Sequence, residues 1–226
     1  MNSLGAAASE RACRGVRGGE PHGFGYSGLL PPHEMPGATR GMVVRREVLG
    51  TAHVGTGNGL DNMIFGSSIA NILSGLGGDD TLRGQSGVDE LHGGDDADIL
   101  YGALGNDSLF GDAGADRLNG EDGVDTLDGG AGDDRLFGEA AADILDGGTG
   151  KDALNGGTQR DTMTGGADAD QFVFDDGDTA ATRNGADIIT DFSHAEGDRI
   201  NLRQIDADTA TGGVQNFAFV GANAFS

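Results

Sequence analysis

The sequence predicts an all-β protein, a right-handed parallel β-roll with a β-rich cap at its C-terminal end. Two observations carry this prediction. Thirteen consecutive nine-residue segments each begin with glycine, from Gly57 to Gly165, and no insertion interrupts them. The eighth position of every segment is apolar, from Ile64 to Phe172. A fixed period of this kind indicates a repeat architecture, in which each unit buries its apolar residue against its neighbours.

The composition argues against one ordinary globular core. Apolar residues make up 36% and aromatic residues 5% of the 226 residues, and 44 residues are glycine. This apolar content is low for a single core in a chain of this length. One apolar side chain in every nonapeptide therefore favours a thin core that is repeated many times.

Each nonapeptide is interpreted as a six-residue Gly/Asp turn followed by a three-residue strand. Two nonapeptides form one coil of eighteen residues, and neighbouring coils pair as parallel strands. Glycine at positions one and four is explained by backbone conformations with φ > 0. Position nine is expected to face outward. His92 occupies this position and is expected to be solvated. Four aromatic residues share the position, and they form either a modest apolar stripe for a missing neighbour domain or scattered surface aromatics: Phe65, Tyr101, Phe110 and Phe137.

The period divides the chain into three parts. Residues 1–50 contain all four prolines and no persistent pattern, which predicts a disordered tail with a first strand within 42–49. Residues 51–173 form the repeat array. Residues 174–226 lose the period, but strand-like segments at 187–192, 198–202 and 217–220 are expected to cap the open end of the array.

The charge distribution points to a multivalent cation as a partner. The net charge is −23, although residues 1–50 carry six Arg and four Glu, so the acidic excess lies entirely in the rest of the chain. Such self-repulsion disfavours a compact fold and argues against a nucleic-acid partner, which needs basic phosphate contacts. Cys13 is alone and can form no intrachain disulfide. The sequence shows no membrane span and no N-terminal signal peptide.

The sixth position of the repeat supplies a recurrent oxygen ligand. It is Asp in eleven repeats and Asn in the first two, Asn62 and Asn71, which are expected to form a metal-free lead-in. Ca²⁺ takes six to eight oxygen ligands. One turn supplies too few, so the equivalent turn eighteen residues later is expected to complete the shell. One ladder of carboxylates then contains Asp80, Asp98, Asp116, Asp134, Asp152 and Asp170, and the other contains Asp89, Asp107, Asp125, Asp143 and Asp161.

Backbone carbonyl groups of the glycine-rich turns are expected to contribute the remaining ligands. Roughly five to eight calcium ions are expected from the number of intact turn pairs. Folding should depend on the metal, because stacked carboxylates repel one another in its absence. The glycines assigned to these sites are Gly75, Gly78, Gly84, Gly87, Gly93, Gly102, Gly105, Gly111, Gly114, Gly120, Gly123, Gly129, Gly132, Gly147 and Gly150.

The repeats GLGGDDTLR, GALGNDSLF and GGAGDDRLF, together with their neighbours, resemble the RTX, or hemolysin-type, calcium-binding family across residues 57–173. The segments 170–174, 187–192 and 197–202 resemble the C-terminal domain of serralysin-type metalloproteases. The resemblance implies secretion through a type I (ABC-type) exporter, with an uncleaved signal near the C-terminal end. It also implies folding outside the cell, where calcium is plentiful.

The sequence departs from the serralysin pattern in two ways, of which the first indicates a non-catalytic protein and the second bears on whether the C-terminal export signal is intact. The zinc-binding HExxH helix is missing, because His33-Glu34 is followed by Met35-Pro36-Gly37. The chain also stops at Ser226, where relatives usually continue to a short apolar, acidic end, so a fragment or a truncation is expected. The sequence thus predicts a calcium-dependent folding and secretion module of an exoprotein, with a missing catalytic or neighbour domain. The alternatives are a calcium-dependent adhesin or matrix protein, and a fragment of a secreted metalloprotease or polysaccharide-modifying enzyme.

Overall fold

A computed structural model describes residues 44–47, 53–175 and 186–202, and for 44–47 it describes the backbone only. These ranges consist of strands and turns. The strands are β1 (Val44–Glu47), β2 (Val54–Gly59), β3 (Asn62–Phe65), β4 (Ile72–Gly77), β5 (Thr81–Ser86), β6 (Glu90–Asp95), β7 (Ile99–Leu104), β8 (Ser108–Ala113), β9 (Arg117–Asp122), β10 (Thr126–Ala131), β11 (Arg135–Ala140), β12 (Ile144–Thr149), β13 (Ala153–Thr158), β14 (Thr162–Ala167), β15 (Gln171–Val173), β16 (Ile188–Ile189) and β17 (Arg199–Asn201).

The strands form two parallel sheets in which every strand pairs with the strand one coil away. The odd-numbered strands make a nine-stranded sheet and the even-numbered strands make an eight-stranded sheet, both in sequence order. Partners in the array are eighteen residues apart, as in the pairs Thr126↔Ile144 and Arg117↔Arg135. The chain therefore alternates between the two sheets, and this confirms the predicted parallel β-solenoid with eighteen residues per coil.

The core is a single column of side chains between the two sheets. All thirteen residues at position eight, from Ile64 to Phe172, have 0% exposure. Burial of one such side chain in each nonapeptide does not offset the conformational entropy that is lost when nine residues are ordered. The predicted thin core is confirmed, and it leaves most of the stabilisation to be supplied elsewhere.

Strands and turns divide the repeat differently from the sequence-based interpretation. The interior strands are six residues long and run from position seven of one nonapeptide to position three of the next, as β10 and β11 do. Only positions four to six form the turn, as at residues 132–134. The six-residue turn was wrong because the inter-coil ladder continues past the glycine at position one, for example through Gly130↔Gly148.

The strand-like segments beyond the array extend it by one more strand in each sheet. Strand β16 pairs with β14, and β17 pairs with β15. The turn predicted at 195–197 is present within 194–197. Strand β1 lies within the predicted first strand at 42–49. The segment 217–220 and the remainder of the tail 1–50 lie outside the described residues. Within the described ranges, no helix has the length and apolar character needed to cross a membrane.

Left-handed backbone occurs at positions two and four of the repeat. At position two it is adopted by residues with side chains, such as Gln85 (φ 81°) and Glu121 (φ 70°). At position four, Gly105 and Gly132 have φ of 140° and 138°, whereas Ala141 is held at 91°. A side chain at such a φ is strained. The position-four interpretation was correct at these glycines. The left-handed backbone at position two was missed, although five of the thirteen nonapeptides have glycine there.

Replacing Ala141 with glycine should stabilise the fold, because the strain of a β-carbon at this φ disappears. We expect the free energy of unfolding to rise by about 1 kcal/mol. Thermal unfolding in saturating calcium measures the change. The neighbouring Ala140→Gly is a matched control in β11, where a glycine should destabilise by about 0.5–1 kcal/mol. Equal effects of the two substitutions would contradict the assignment of strain to position four.

The aromatic residues at position nine do not form one continuous stripe. Tyr101 and Phe137 lie on the nine-stranded sheet, where Asn119 separates them in register. Phe110 lies on the eight-stranded sheet and stacks on His92, with ring centroids 4.7 Å apart. The alternation of strands between the two sheets therefore places the aromatic residues on two surfaces, and Asn119 interrupts them on one of these. His92 is partly covered by its stack with Phe110.

Candidate metal centre

The aspartates at position six form two ladders, one along each edge of the solenoid where the chain turns. Each Asp Oδ1 accepts a hydrogen bond from the backbone N–H of the position-six residue one coil earlier. Asp116 N donates to Asp134 Oδ1 over 2.7 Å, and Asp125 N donates to Asp143 Oδ1 over the same distance. The eleven predicted carboxylates have residue exposures of 0–2%. The structure therefore brings together both predicted ladders.

The second oxygen of these carboxylates is buried without a hydrogen-bond partner. This holds for the Oδ2 atoms of Asp80, Asp89, Asp98, Asp107, Asp116, Asp125, Asp134, Asp143, Asp152 and Asp170. A buried polar atom without a partner costs about 1–3 kcal/mol, and more if it is charged. Six such oxygens lie along one ladder and four along the other, an arrangement that cations at each turn would satisfy.

The glycine at position one provides space for this oxygen. A β-carbon on Gly129 would lie 2.6 Å from Asp134 Oδ2 and 2.6 Å from the carbonyl oxygen of Gly147 in the next coil. Gly111 shows the same arrangement with Asp116. The φ of these glycines is not positive, so the sequence-based explanation of position one was wrong. Glycine is needed there because a carboxylate oxygen and a carbonyl oxygen converge on the point that a side chain would fill.

The glycine at position four allows consecutive turns to stack closely. A β-carbon on Gly132 would collide with the carbonyl oxygen of Gly114, and one on Gly123 would collide with that of Gly105. The predicted position-four glycines therefore lie at the same two edges as the aspartates. Their carbonyl groups point along the solenoid axis towards the next turn.

The metal-free carboxylates are poor acids in this environment. Burial raises the pKa of Asp98 from 3.8 to about 8 and that of Asp143 to about 7, against the opposing effect of the backbone hydrogen bond. Neighbouring carboxylates raise both pKa values further. For Asp80 and Asp125 the raised pKa is about 6, again mainly through burial. At neutral pH the ladders thus hold carboxylates whose charged form is disfavoured until a cation compensates for the lost water.

Carboxylates alone do not enclose a metal ion here. Within the described residues, no group of three or more Asp, Glu, His or Cys side chains converges on one point. A calcium ion needs six to eight oxygens at about 2.3–2.6 Å. The residues present fit calcium only if turn carbonyl groups, such as those that converge beside the aspartates, supply the rest of the shell.

Comparison with protein families identifies the repeat. Five overlapping matches to the RTX calcium-binding nonapeptide repeat (4 copies) cover residues 56–91, 65–100, 92–127, 119–154 and 146–179. Together they span more than half of the chain. This chain is an RTX protein. No curated protein matches its sequence.

In the first two RTX units, the asparagine at position six forms hydrogen bonds within its own turn. Asn62 Oδ1 accepts a hydrogen bond from Asn58 N over 2.9 Å, and Asn71 Oδ1 accepts one from Ser67 N over 2.6 Å. The Asn62 amide also donates to the carbonyl of Leu60 within the turn. An asparagine can both donate and accept, so it closes the turn without a cation. This geometry supports the expectation of a metal-free lead-in.

Two further aspartates continue the ladders beyond the RTX repeats. Asp161 N donates to Asp187 Oδ1 over 2.9 Å, and Asp170 N donates to Asp198 Oδ1 over 3.1 Å. The nonapeptide period does not predict this role, because the spacing between successive aspartates of a ladder changes from eighteen to 26 and 28 residues. A local signal was present, since each of these aspartates stands two residues before a buried or half-buried isoleucine, as it does in the repeats.

Asp198 is the last aspartate of the ladder that begins at Asp80, and the loop before it donates a hydrogen bond to its second carboxylate oxygen. Asp198 Oδ2 accepts a hydrogen bond from Ser193 N over 2.7 Å, while the Ser193 carbonyl accepts bonds from three following N–H groups. Beside it, the two Asp191 oxygens accept bonds from Gly165 N and Gly166 N. Both oxygens of Asp198 therefore accept hydrogen bonds within the protein, whereas ten of the ladder aspartates in the repeats have an unpartnered Oδ2.

Proposed function

We propose that the RTX repeats bind several calcium ions along the two ladders, and that calcium binding drives folding of the chain outside the cell. In this proposal the chain is a non-catalytic folding and secretion module of an exoprotein. The row of buried, unpartnered Oδ2 atoms is the observation that carries the proposal. Calcium would supply the positive charge and the oxygen coordination that these atoms lack.

Coupling between metal and folding follows from the energetics of the repeat. One buried Leu-sized side chain per nonapeptide does not offset the chain entropy of nine residues. Ionised buried carboxylates add a further cost, because they have lost their hydration. A ligand that binds the folded state alone contributes its binding free energy to folding. The metal-free chain is therefore expected to be unfolded at neutral pH.

An extracellular site of action suits this chemistry. Calcium modules outside the cell work at about 10⁻⁴–10⁻³ M calcium, far above the range of cytosolic sensors. A chain that needs such concentrations would stay unfolded before export and fold after it. The resemblance of its C-terminal segments to serralysins motivates the type I exporter as the proposed route.

A calcium titration followed by far-UV circular dichroism tests the proposal. In chelator the wild-type spectrum should be that of a coil, and about 1–10 mM Ca²⁺ should produce a cooperative transition to β-structure. Mg²⁺ should not replace Ca²⁺, because it demands a small octahedral shell that carbonyl-rich turns do not offer. A chain that is fully folded in chelator at pH 7.5, or that responds equally to Mg²⁺, would contradict the proposal.

The variant Asp134→Asn links the transition to the ladder. It should bind fewer ions than the wild type and require more calcium to fold, yet reach the same final spectrum, because asparagine closes its turn in units one and two. Isothermal titration calorimetry gives the number of bound ions. Arg83→Ala, which changes the outer face and leaves the turns intact, is the control and should titrate like the wild type.

A further inference from the structure

The outer faces of the two sheets carry opposite charges. Strands of the eight-stranded sheet contain no Arg or Lys, and their acidic residues are Glu90, Asp95, Asp112, Asp128 and Asp146. From β3 onward, the nine-stranded sheet carries Arg83, Arg117, Arg135 and Arg199. Its three acidic residues, Glu121, Asp122 and Glu139, lie near the ends of β9 and β11. One face is thus basic at its centre although the whole chain is strongly acidic.

Two of the arginines on this face are neighbours in adjacent strands. Arg117 and Arg135 are register partners in adjacent strands. The Arg117 guanidinium lies 4.2 Å from the centroid of the Phe137 ring, which holds it in place. In the described part of the chain, neither arginine lies within 4.0 Å of a carboxylate oxygen. Like charges directly opposite each other destabilise a sheet, so within the described residues this arginine pair has no compensating carboxylate.

The eight-stranded sheet carries a corresponding pair of acidic residues in adjacent strands. Asp128 and Asp146 are register partners in β10 and β12. The aspartate pair lies at the same level of the solenoid as the arginine pair, because β10 and β12 alternate with β9 and β11 along the chain.

We propose that the arginine pair Arg117–Arg135 of one molecule binds the aspartate pair Asp128–Asp146 of a second molecule, so that calcium-folded copies associate face to face. Adjacent strands are about 4.8 Å apart in both sheets, so the two pairs match in spacing as well as in charge. Phe137 beside the arginines and the exposed Ile144 beside the aspartates add an apolar contact.

The predicted assembly is open-ended. The contact joins two different faces, and a heterologous contact that does not close into a ring continues indefinitely. The two ladders lie at the turns rather than on the sheet faces, so calcium sites stay free in the assembly. Calcium also reduces the net charge of −23 by two for each bound ion, which weakens the repulsion between copies. A second copy is favoured over a foreign polyanion because its charge pair has the same spacing.

Sedimentation velocity of the calcium-loaded full chain tests this proposal, with circular dichroism as the check on folding. The wild type at low salt should associate as its concentration rises, and about 0.5 M NaCl should weaken the association because salt screens exposed charges. The variants R117D/R135D and D128R/D146R should each associate at least about tenfold more weakly. An equimolar mixture of the two should associate again, because the acidic face of the first meets the basic face of the second.

The control R83D/R199D makes the same charge change on the same sheet but leaves the arginine pair intact, so its association should stay within about threefold of the wild type. A folded wild type that remains monomeric at about 100 μM would overturn the proposal, as would equal weakening by the control or failure of the mixture to associate. Binding of a polyuronate by a monomeric wild type, lost in R117D/R135D, would assign the arginines to an anionic glycan and also overturn it. Each of these results leaves calcium-driven folding, seen by circular dichroism, intact.

Discussion

In chelator, the protein should gain β-structure as the pH is lowered from about 8 to about 5. Burial raises the pKa of Asp98 to about 8, that of Asp116, Asp143 and Asp152 to about 7, and that of Asp80 to about 6 in the metal-free fold. The ordinary pKa of these groups is 3.8. Protonation removes the charge that burial disfavours, so acid replaces part of what calcium supplies.

The sign of this pH effect on the free energy of unfolding follows from proton linkage. Between pH 3.8 and about 8 the folded state binds more protons than the unfolded state, so the free energy of unfolding falls as the pH rises through the folded pKa values. On acidification the gain begins near pH 8, grows steeper as each folded pKa is passed, and ends near 3.8, where both states are protonated. With calcium present the dependence reverses, because the ion needs ionised ligands. The calcium midpoint should therefore rise as the pH falls.

Circular dichroism in chelator at several pH values measures this effect. About 0.5 M NaCl at pH 8 is the control, because it screens the general repulsion of an acidic chain without protonating the ladders. A salt-induced transition as large as the acid-induced one would assign the effect to net charge. Absence of any β-structure at pH 5 would contradict the role of the buried carboxylates.

Adding one methyl group at Gly129 should disrupt folding at calcium concentrations that fold the wild type. In Gly129→Ala the β-carbon would lie 2.6 Å from both Asp134 Oδ2 and the Gly147 carbonyl oxygen. The second of these atoms belongs to the backbone of the next coil and cannot turn away. Overpacking of a tight site costs about 1–3 kcal/mol, and here it also displaces the oxygens assigned to the metal. We expect the calcium midpoint to rise about tenfold or more.

Gly77→Ala is the matched control for this substitution. Its β-carbon would find only the Asp95 β-carbon at 3.7 Å, an ordinary contact, and its φ is not positive. The calcium midpoint of this variant should stay close to that of the wild type. The two calcium titrations measure the difference, and equal midpoints would show that position one is not the point where the metal-binding oxygens converge.

The coil, its register and its core could be predicted from the sequence. The nonapeptide period places Leu127 and Leu145 one coil apart, and the structure pairs them as neighbours with 0% exposure. The aspartate ladders follow from the same period, since residues eighteen positions apart must stack once two nonapeptides form a coil. These features depend on the spacing along the chain alone, which is why the sequence determines them.

Contacts between coils decided what the sequence alone did not. The need for glycine at position one comes from the carbonyl oxygen of the next coil, eighteen residues away in the sequence. The positive φ of Glu121 at position two is a property of the local backbone that the residue type does not indicate. The roles of Asp187 and Asp198 emerged only when their strands extended the sheets across the altered spacing. The opposite charges of the two faces were likewise hidden, because alternate nonapeptides pass to opposite sheets. Strands with arginine and strands with aspartate alternate along the sequence, and they lie on separate faces only in the folded solenoid.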